Sequence, residues 1–418
     1  MTSQGATKSA QTGELPLAGL KVLDISTYIA APAAAVVLSD YGADVIKVEQ
    51  PGEGDPNRQI YTHAGYPKQP TWPDRQVNYP WNMDARNKRS LAIDVKAEAG
   101  RAALYKLIAQ TDILIINFPH PVRARLKLAY DDVAHLNPRL IYASLTGYGE
   151  EGPDRDAPGF DSTAYFARSG LVDQLRFEGQ PPHFSLPAQG DRATAMGLLS
   201  GIMMALYQRE KTGQGTMVST SLLANGLWSN GVYAQAALTG GFLPPRPPRE
   251  RPRSALGNLY RTRDERWILL AIPLEDKMWP RLCGLLERPD LERDPRFAET
   301  PNRRSNAAVL TTLFDDAFAG HDAAEWSRRL KAATIPFSQI ARIQDIATDE
   351  QARACGAVVE TGDPEMPLTI AAPFQLKGAA TRNPAPGPEL GAHTDEVLRE
   401  AGLSAGEIAA LRKDGVVA

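Results

Sequence analysis

Cysteine is scarce in this chain of 418 residues. Cys283 and Cys355 cannot build a disulfide framework, and their spacing fits no metal motif. A reducing cytoplasm is the natural compartment for such a chain. Histidine is also sparse: His63, His120, His135, His183, His321 and His393 include no i,i+4 pair and none beside a Cys or Glu at ligand spacing, so no metal site is expected. No apolar run approaches the length of a membrane span. The polar start "MTSQGATKSAQTGELP" lacks the apolar core of a signal peptide and reads as a disordered lead-in over residues 1–16. A net charge of −3 supplies neither a basic field for nucleic acid nor an acidic tail. The glycine pattern G-x-G-x-x-G of dinucleotide folds is missing after the first apolar run, which continues as "DISTYIAAPAAA". No G-x-S-x-G elbow frames a serine, which disfavours a serine hydrolase.

What is present is ordinary for a soluble enzyme: 43% hydrophobic and 23% charged residues, in a chain long enough for two domains. Short β-branched runs alternate with helical segments through the first half. "KVLDIS" (21–26), "DVIKVE" (44–49), "RSLAIDV" (89–95), "DILIINF" (112–118) and "RLIYASLTGYG" (139–149) are nearly continuous apolar strands. Strands of that kind, linked by helices, predict a doubly wound, mostly parallel, Rossmann-like α/β sheet covered on both faces. A long helix is expected from Arg192 to about Glu210, with Met196, Leu199, Met203 and Leu206 on one face. The Pro- and Arg-rich "GGFLPPRPPRERPRS" (240–254) is the clearest break in composition. A hairpin with Asp264 in its turn and several helices follow it, as in a smaller α+β domain. The expected division is 17–225 for the first part of a large domain, 226–335 for the small domain with its connectors, and 336–418 for the return to the large domain.

Within "PAQGDRATAMG" (187–197), Asp191 stands between a glycine and the long helix. An Asp there is an N-cap in most proteins. The helix dipole would also hold such a carboxylate ionised, and Gly190 would let a ligand approach closely, so that Asp191 could attack an activated acyl group. Sequence alone leaves both roles open. Lys96, Arg125 and "ARNKRS" (85–90) put positive charge near the C-terminal ends of the early strands, either as solvated decoration or around a phosphate-bearing ligand.

In order along the chain, "GADVIKVEQPGEGDPNR", "RNKRSLAIDVK", "INFPHPVRARL", "NPRLIYASLTGYGEEGP", "GFDSTAYFARSGL", "QGDRATAMGLLSGIMMAL", "KTGQGTMVSTSL" and "IPFSQIARIQDIATDE" resemble the class III (family III) CoA-transferases, which include formyl-CoA and carnitine CoA-transferases. The resemblance spans nearly the whole chain, and "GFDSTAYFARSGL" is most similar to members acting on 2-hydroxy or aryl acids. It implies a discontinuous large domain, an interlocked homodimer, and transfer of CoA from an acyl-CoA to a free carboxylic acid, with CoA as substrate and no tightly bound cofactor. By the same resemblance, Asp191 is the nucleophile that passes through mixed-anhydride and aspartyl-CoA thioester intermediates. Lys96, Asn117, Phe118 and Arg125 would contact CoA, and Phe160, Asp161 and Gly190 would line the reacting thioester. Departures from formyl-CoA transferase stand at Ile29, where that enzyme has a glutamine, and at Gln50, where it has an adenine-contacting arginine. Its glycine-rich lid is not visible; the Arg-rich connector (Arg246, Arg249, Arg251, Arg253), a solvated linker or an acceptor contact, lies in roughly that region. The related α-methylacyl-CoA racemases use a His–Asp pair where this chain has Phe160–Asp161, and phenylalanine cannot move a proton. A non-catalytic acyl-CoA-binding protein would have lost the nucleophile, yet Asp191 is present.

Overall fold

The structure is a computed structural model that describes residues 14–62, 77–183 and 185–418. Most of the expected lead-in, and His63, therefore lie outside the described residues. The described residues fall into two compact units, one of 14–62, 77–172, 185–242 and 350–418 and the other of 173–183 and 243–349.

The first unit is built on six parallel strands: β1 (Lys21–Ile25), β2 (Asp44–Glu49), β3 (Arg89–Ala92), β4 (Ile113–Ile116), β5 (Ile141–Thr146) and β6 (Thr216–Ser221). Their order is β3-β2-β1-β4-β5-β6, the doubly wound arrangement. Successive side chains of a strand point to opposite faces, and the core divides accordingly. Val22, Val45, Ile113 and Ile115 face one layer, while Leu23, Ile46, Leu114 and Ile116 face the other. Each such aliphatic side chain contributes about 1.5–3 kcal/mol on full burial.

Helix α1 (Ala30–Asp40) is rich in alanine and buried along its whole length, which lets it lie close to the sheet. Next come α2 (Tyr79–Ala85), α3 (Glu98–Ile108), α4 (His120–Leu126), the single turn α5 (Tyr130–Val133), the short α6 (Leu171–Leu175) and the long α7 (Gln189–Thr212). The buried face of α7 carries Ala195, Leu198, Leu199, Ile202 and Ala205, rotated from the expected stripe: Met196, Met203 and Leu206 sit half-buried at its edge. The two alanines on that face let α7 pack closely against the alanine-rich α1. The chain end returns to the sheet, where Asp94 N–H donates to Val416 O at 2.8 Å.

In the second unit β7 (Leu259–Arg261), β8 (Trp267–Leu270) and β9 (Phe337–Gln339) form an antiparallel sheet over an aromatic core of Trp279, Phe314, Phe318 and Trp326. The Arg-rich connector is partly anchored: the Arg249 guanidinium binds both oxygens of Asp315, at 2.9 and 2.8 Å. Among the described residues no helix is long and apolar enough to cross a membrane.

Candidate active site

The strand order reverses between β1 and β4, so the loops that follow these strands diverge and leave a crevice at the C-terminal edge of the sheet. Asn117 fastens the two loops together: its Oδ1 accepts from Thr27 N–H at 2.9 Å, and its Nδ2 donates to Thr27 O at 2.8 Å. Beside this junction lies a cleft of about 190 Å³. Gln50, Lys96, Phe118 and Arg125 line it, contributed by the chain after β2, β3 and β4 and by α4. Three separate stretches of the sequence thus come together around one cavity, with Phe118 as the apolar surface and Lys96 and Arg125 as the cations. The acidic residues in the same wall are already neutralised: Glu49 binds Arg58 at 2.7 Å, and Asp55 binds Lys47 at 2.6 Å.

Two expected members are elsewhere. Ile29 is buried at the entrance to α1 and contributes nothing to the cleft wall. The basic run at 85–90 is consumed by internal pairing. Arg86 holds Asp40, Lys88 holds Asp24 at 2.8 Å, and Arg89, at the opposite end of β3, is shared by Asp44, Glu396 and Glu400. Arg86 and Lys88 are buried, and cations buried without such partners would carry a heavy desolvation cost, which is why these two face carboxylates.

Helix α7 begins before Asp191. Its N-cap is Ala188, in a left-handed conformation (φ 73°, ψ −6°) and with no side chain able to cap. Asp191 is therefore the third residue of the first turn, and the N-cap role expected from sequence is not its own. The carboxylate facing the opening N–H groups of α7 is Asp161, which begins a π-helical segment (Asp161–Ala167). Backbone N–H groups of Ala188 and Gly190, with that of Ser162, favour its charged form, while burial pushes its pKa up. Its Oδ2 is buried with no hydrogen-bond partner. π-Helical turns recur at functional sites.

With the helix end served by Asp161, Asp191 is left half-buried, and among the described residues it accepts no hydrogen bond. Its pKa is raised to about 7, by burial first, then by the Asp161 carboxylate and, more weakly, Asp84, against the opposing charge of Arg192. Burial and the neighbouring carboxylates thus push against the ionised form that the helix end was expected to favour. A carboxylate of that basicity is a better nucleophile than an ordinary one, yet half of it is ionised near neutral pH.

At Gly190 a Cβ would stand 2.6 Å from the Tyr165 ring, so the missing side chain admits that ring. Phe160 lies at the mouth of the site, 58% exposed, with its ring edge-on to Tyr28 at 6.5 Å between centroids. Tyr28, itself 45% exposed, has a left-handed backbone (φ 63°) secured by its N–H donating to Asp55 Oδ1 at 3.1 Å. Sequence reasoning missed Tyr28, Asp84, Tyr165 and Arg192 as site residues. The Asp84–Arg192 pair spans more than a hundred positions and has no local pattern, whereas the bulky Tyr28 in the first strand–helix turn was a signal available to be read.

Residues 17–394 match the family model described as CoA-transferase family III. The chain belongs to CoA-transferase family III. This CoA-transferase is 32% identical over 403 residues to (R)-2-hydroxy-4-methylpentanoate CoA-transferase of Clostridioides difficile, covering 96% of this chain and 99% of that one. It is also 32% identical to cinnamoyl-CoA:phenyllactate CoA-transferase of Clostridium sporogenes, with 95% and 96% covered. Among solved structures it resembles a CAIB/BAIF family protein from Brucella suis, with a TM-score of 0.80 and 28% identity over 93% of this chain and 100% of that one. The CoA-transferase thus shares with its family the six-stranded parallel sheet on which the cleft and Asp191 are mounted.

Proposed function

We propose that this CoA-transferase moves CoA from an acyl-CoA thioester to a free carboxylic acid through covalent intermediates on Asp191. The observation that carries this reading is the state of Asp191: half-buried, spared from capping its own helix, and raised in pKa to about 7. An Oδ of Asp191 attacks the thioester carbonyl, the C–S bond breaks, and CoA leaves as the thiolate. The thiolate then attacks the aspartyl carbonyl of the mixed anhydride and releases the first acid as its carboxylate. The incoming carboxylate attacks the resulting aspartyl-CoA thioester and expels the thiolate again. Attack of the thiolate on the new acyl carbonyl gives the product thioester and frees Asp191. Each step exchanges one acyl bond for another, so atoms and charge balance without further reactants.

Lys96 and Arg125 would hold the anionic end of CoA, with Phe118 against its apolar stretch and Gln50 in the same wall. A guanidinium fork suits phosphate oxygens, and Lys adds a point charge. Tyr28 and Phe160 offer exposed aromatic edges near Asp161. Together with the names of the two relatives above, this favours a 2-hydroxy or aryl-bearing acid as one of the exchanged acids. Two free cysteines suit the cytoplasm. Trp228, Val232, Leu238 and Phe242 stand 82 to 86% exposed in the first unit, an apolar surface suited to the homodimer that we also propose; light scattering tests it.

The test of the reaction is CoA exchange among a panel of acyl-CoA esters and free acids, followed by mass spectrometry beside Asp191→Ala. New thioesters that disappear in the variant are expected. A variant that still exchanges removes Asp191 from the mechanism, and loss of α-stereochemistry without exchange would replace transfer by racemisation.

A further inference from the structure

Arg192 follows Asp191 in the first turn of α7, yet its guanidinium is committed elsewhere. It grips Asp84 of α2 with both prongs: one terminal nitrogen bonds Oδ1, and the other lies 3.0 Å from Oδ2. Asp84 is 2% exposed, and burial pushes its pKa up against the pull of Arg192. Among the described residues, its other hydrogen-bond partner is the Asn57 amide, at 3.2 Å. Asn57 N–H donates to Asp55 Oδ1 at 2.8 Å, and Asp55 belongs to the wall of the 190 Å³ cleft. Asp55 also accepts from Tyr28 N–H and pairs with Lys47. An unbroken run of polar contacts thus joins the first turn of α7 to the loops that wall the cleft.

We propose that Asp84 is a positioning residue of the transfer reaction: through Arg192 it fixes the turn bearing Asp191 against the cleft wall, and it neutralises the cation beside the nucleophile. The inference rests on Asp191 being that nucleophile. An unpaired arginine next to Asp191 would stabilise its ionised form and make it a poorer nucleophile. The charges facing Asp191 are Asp161 from the π-helical segment, Asp84 from α2 and Arg192 from its own helix. Asp84 in turn faces Arg192 and Lys88.

The test is the pH profile of kcat/KM for acyl-CoA in the wild type, Asp84→Asn, Arg192→Gln and the double variant. Loss of the Asp84 charge should move the acidic limb to lower pH, and loss of Arg192 should move it to higher pH, each by about half to one pH unit. The double variant should lie between them, and misplacement of the turn should lower kcat roughly 10- to 100-fold in Asp84→Asn. A merely structural ion pair would lower the melting temperature and leave both limbs in place, which overturns the proposal. Should Asp84→Asn fail to fold, Arg192→Gln decides alone, because that side chain is partly exposed and its charge is the one acting on Asp191: a raised limb supports the proposal and an unmoved limb overturns it. Asp191→Ala is assayed in parallel. Transfer surviving there sinks the nucleophile assignment itself, whereas an inactive Asp191→Ala with unmoved limbs sinks only the role of Asp84.

Discussion

The Asp161 carboxylate faces the backbone N–H groups of Ala188 and Gly190 at the opening of the helix that carries Asp191. One acid thereby serves the helix end, and the other is left without a hydrogen bond among the described residues. The charge that does the capping also raises the pKa of the acid that is left over. Structure and reactivity are divided between two carboxylates.

Asp161→Asn should keep the cap, because an asparagine oxygen still accepts from backbone N–H groups, but it removes the negative charge beside Asp191. The acidic limb of kcat/KM is expected to move to lower pH, with a stability change within about 1 kcal/mol. Asp161→Leu loses the cap as well, and should cost about 1–2 kcal/mol in denaturant unfolding.

Asp191 should itself limit stability at alkaline pH. Its folded pKa, about 7, lies above the ordinary value of 3.8. Between those values the unfolded chain gives up its proton while the folded chain keeps it, so stability falls as pH rises through the window and levels off above it. Asp191→Asn removes this term. The variant should melt higher than wild type at pH 8 and show little gain at pH 4, a sign of the trade between activity and stability.

Gly190→Ala tests the packing reading of that glycine. Its Cβ would meet Tyr165 atoms at 2.6, 2.7 and 2.9 Å, so the ring or the turn must shift to admit it. Thermal unfolding should show a loss of about 1–3 kcal/mol, the usual cost of overpacking. A neutral change would mean that Tyr165 can move aside.

Lys96→Ala and Arg125→Ala should each raise KM for acyl-CoA about 10-fold or more, the equivalent of one charge-assisted hydrogen bond, with a smaller effect on kcat. The increase should shrink at high salt, where the wild-type charges are screened as well. Unchanged KM values would move the CoA site away from this cleft.

Much of this was legible from the residues alone. The strands were read to within a few positions because a parallel sheet buried on both faces writes itself as short continuous apolar runs. Gln50, Lys96, Phe118 and Arg125 were named from a resemblance, and they line one cleft. What escaped depended on distance. That Asp191 is not the N-cap follows from where α7 begins, at Gln189 behind the left-handed Ala188, and the Asp161 charge beside it comes from thirty positions away, which no local pattern records. Lys88 and Arg86 looked available for a ligand because their partners, Asp24 and Asp40, are brought to them only by the sheet and α1. Ile29 follows the exposed Tyr28 yet turns inward, and the left-handed backbone at Tyr28 that separates the two is invisible in the residue types.

The most direct test of the central claim is to trap the covalent intermediate. The protein is incubated with an acyl-CoA that it uses, quenched with hydroxylamine, digested and mapped by mass spectrometry. Hydroxylamine should convert the activated aspartyl carbonyl to a hydroxamate on the peptide containing Asp191, and Asp191→Ala should give none. A hydroxamate on another residue, or its absence from an enzyme that is transferring CoA, would contradict the account.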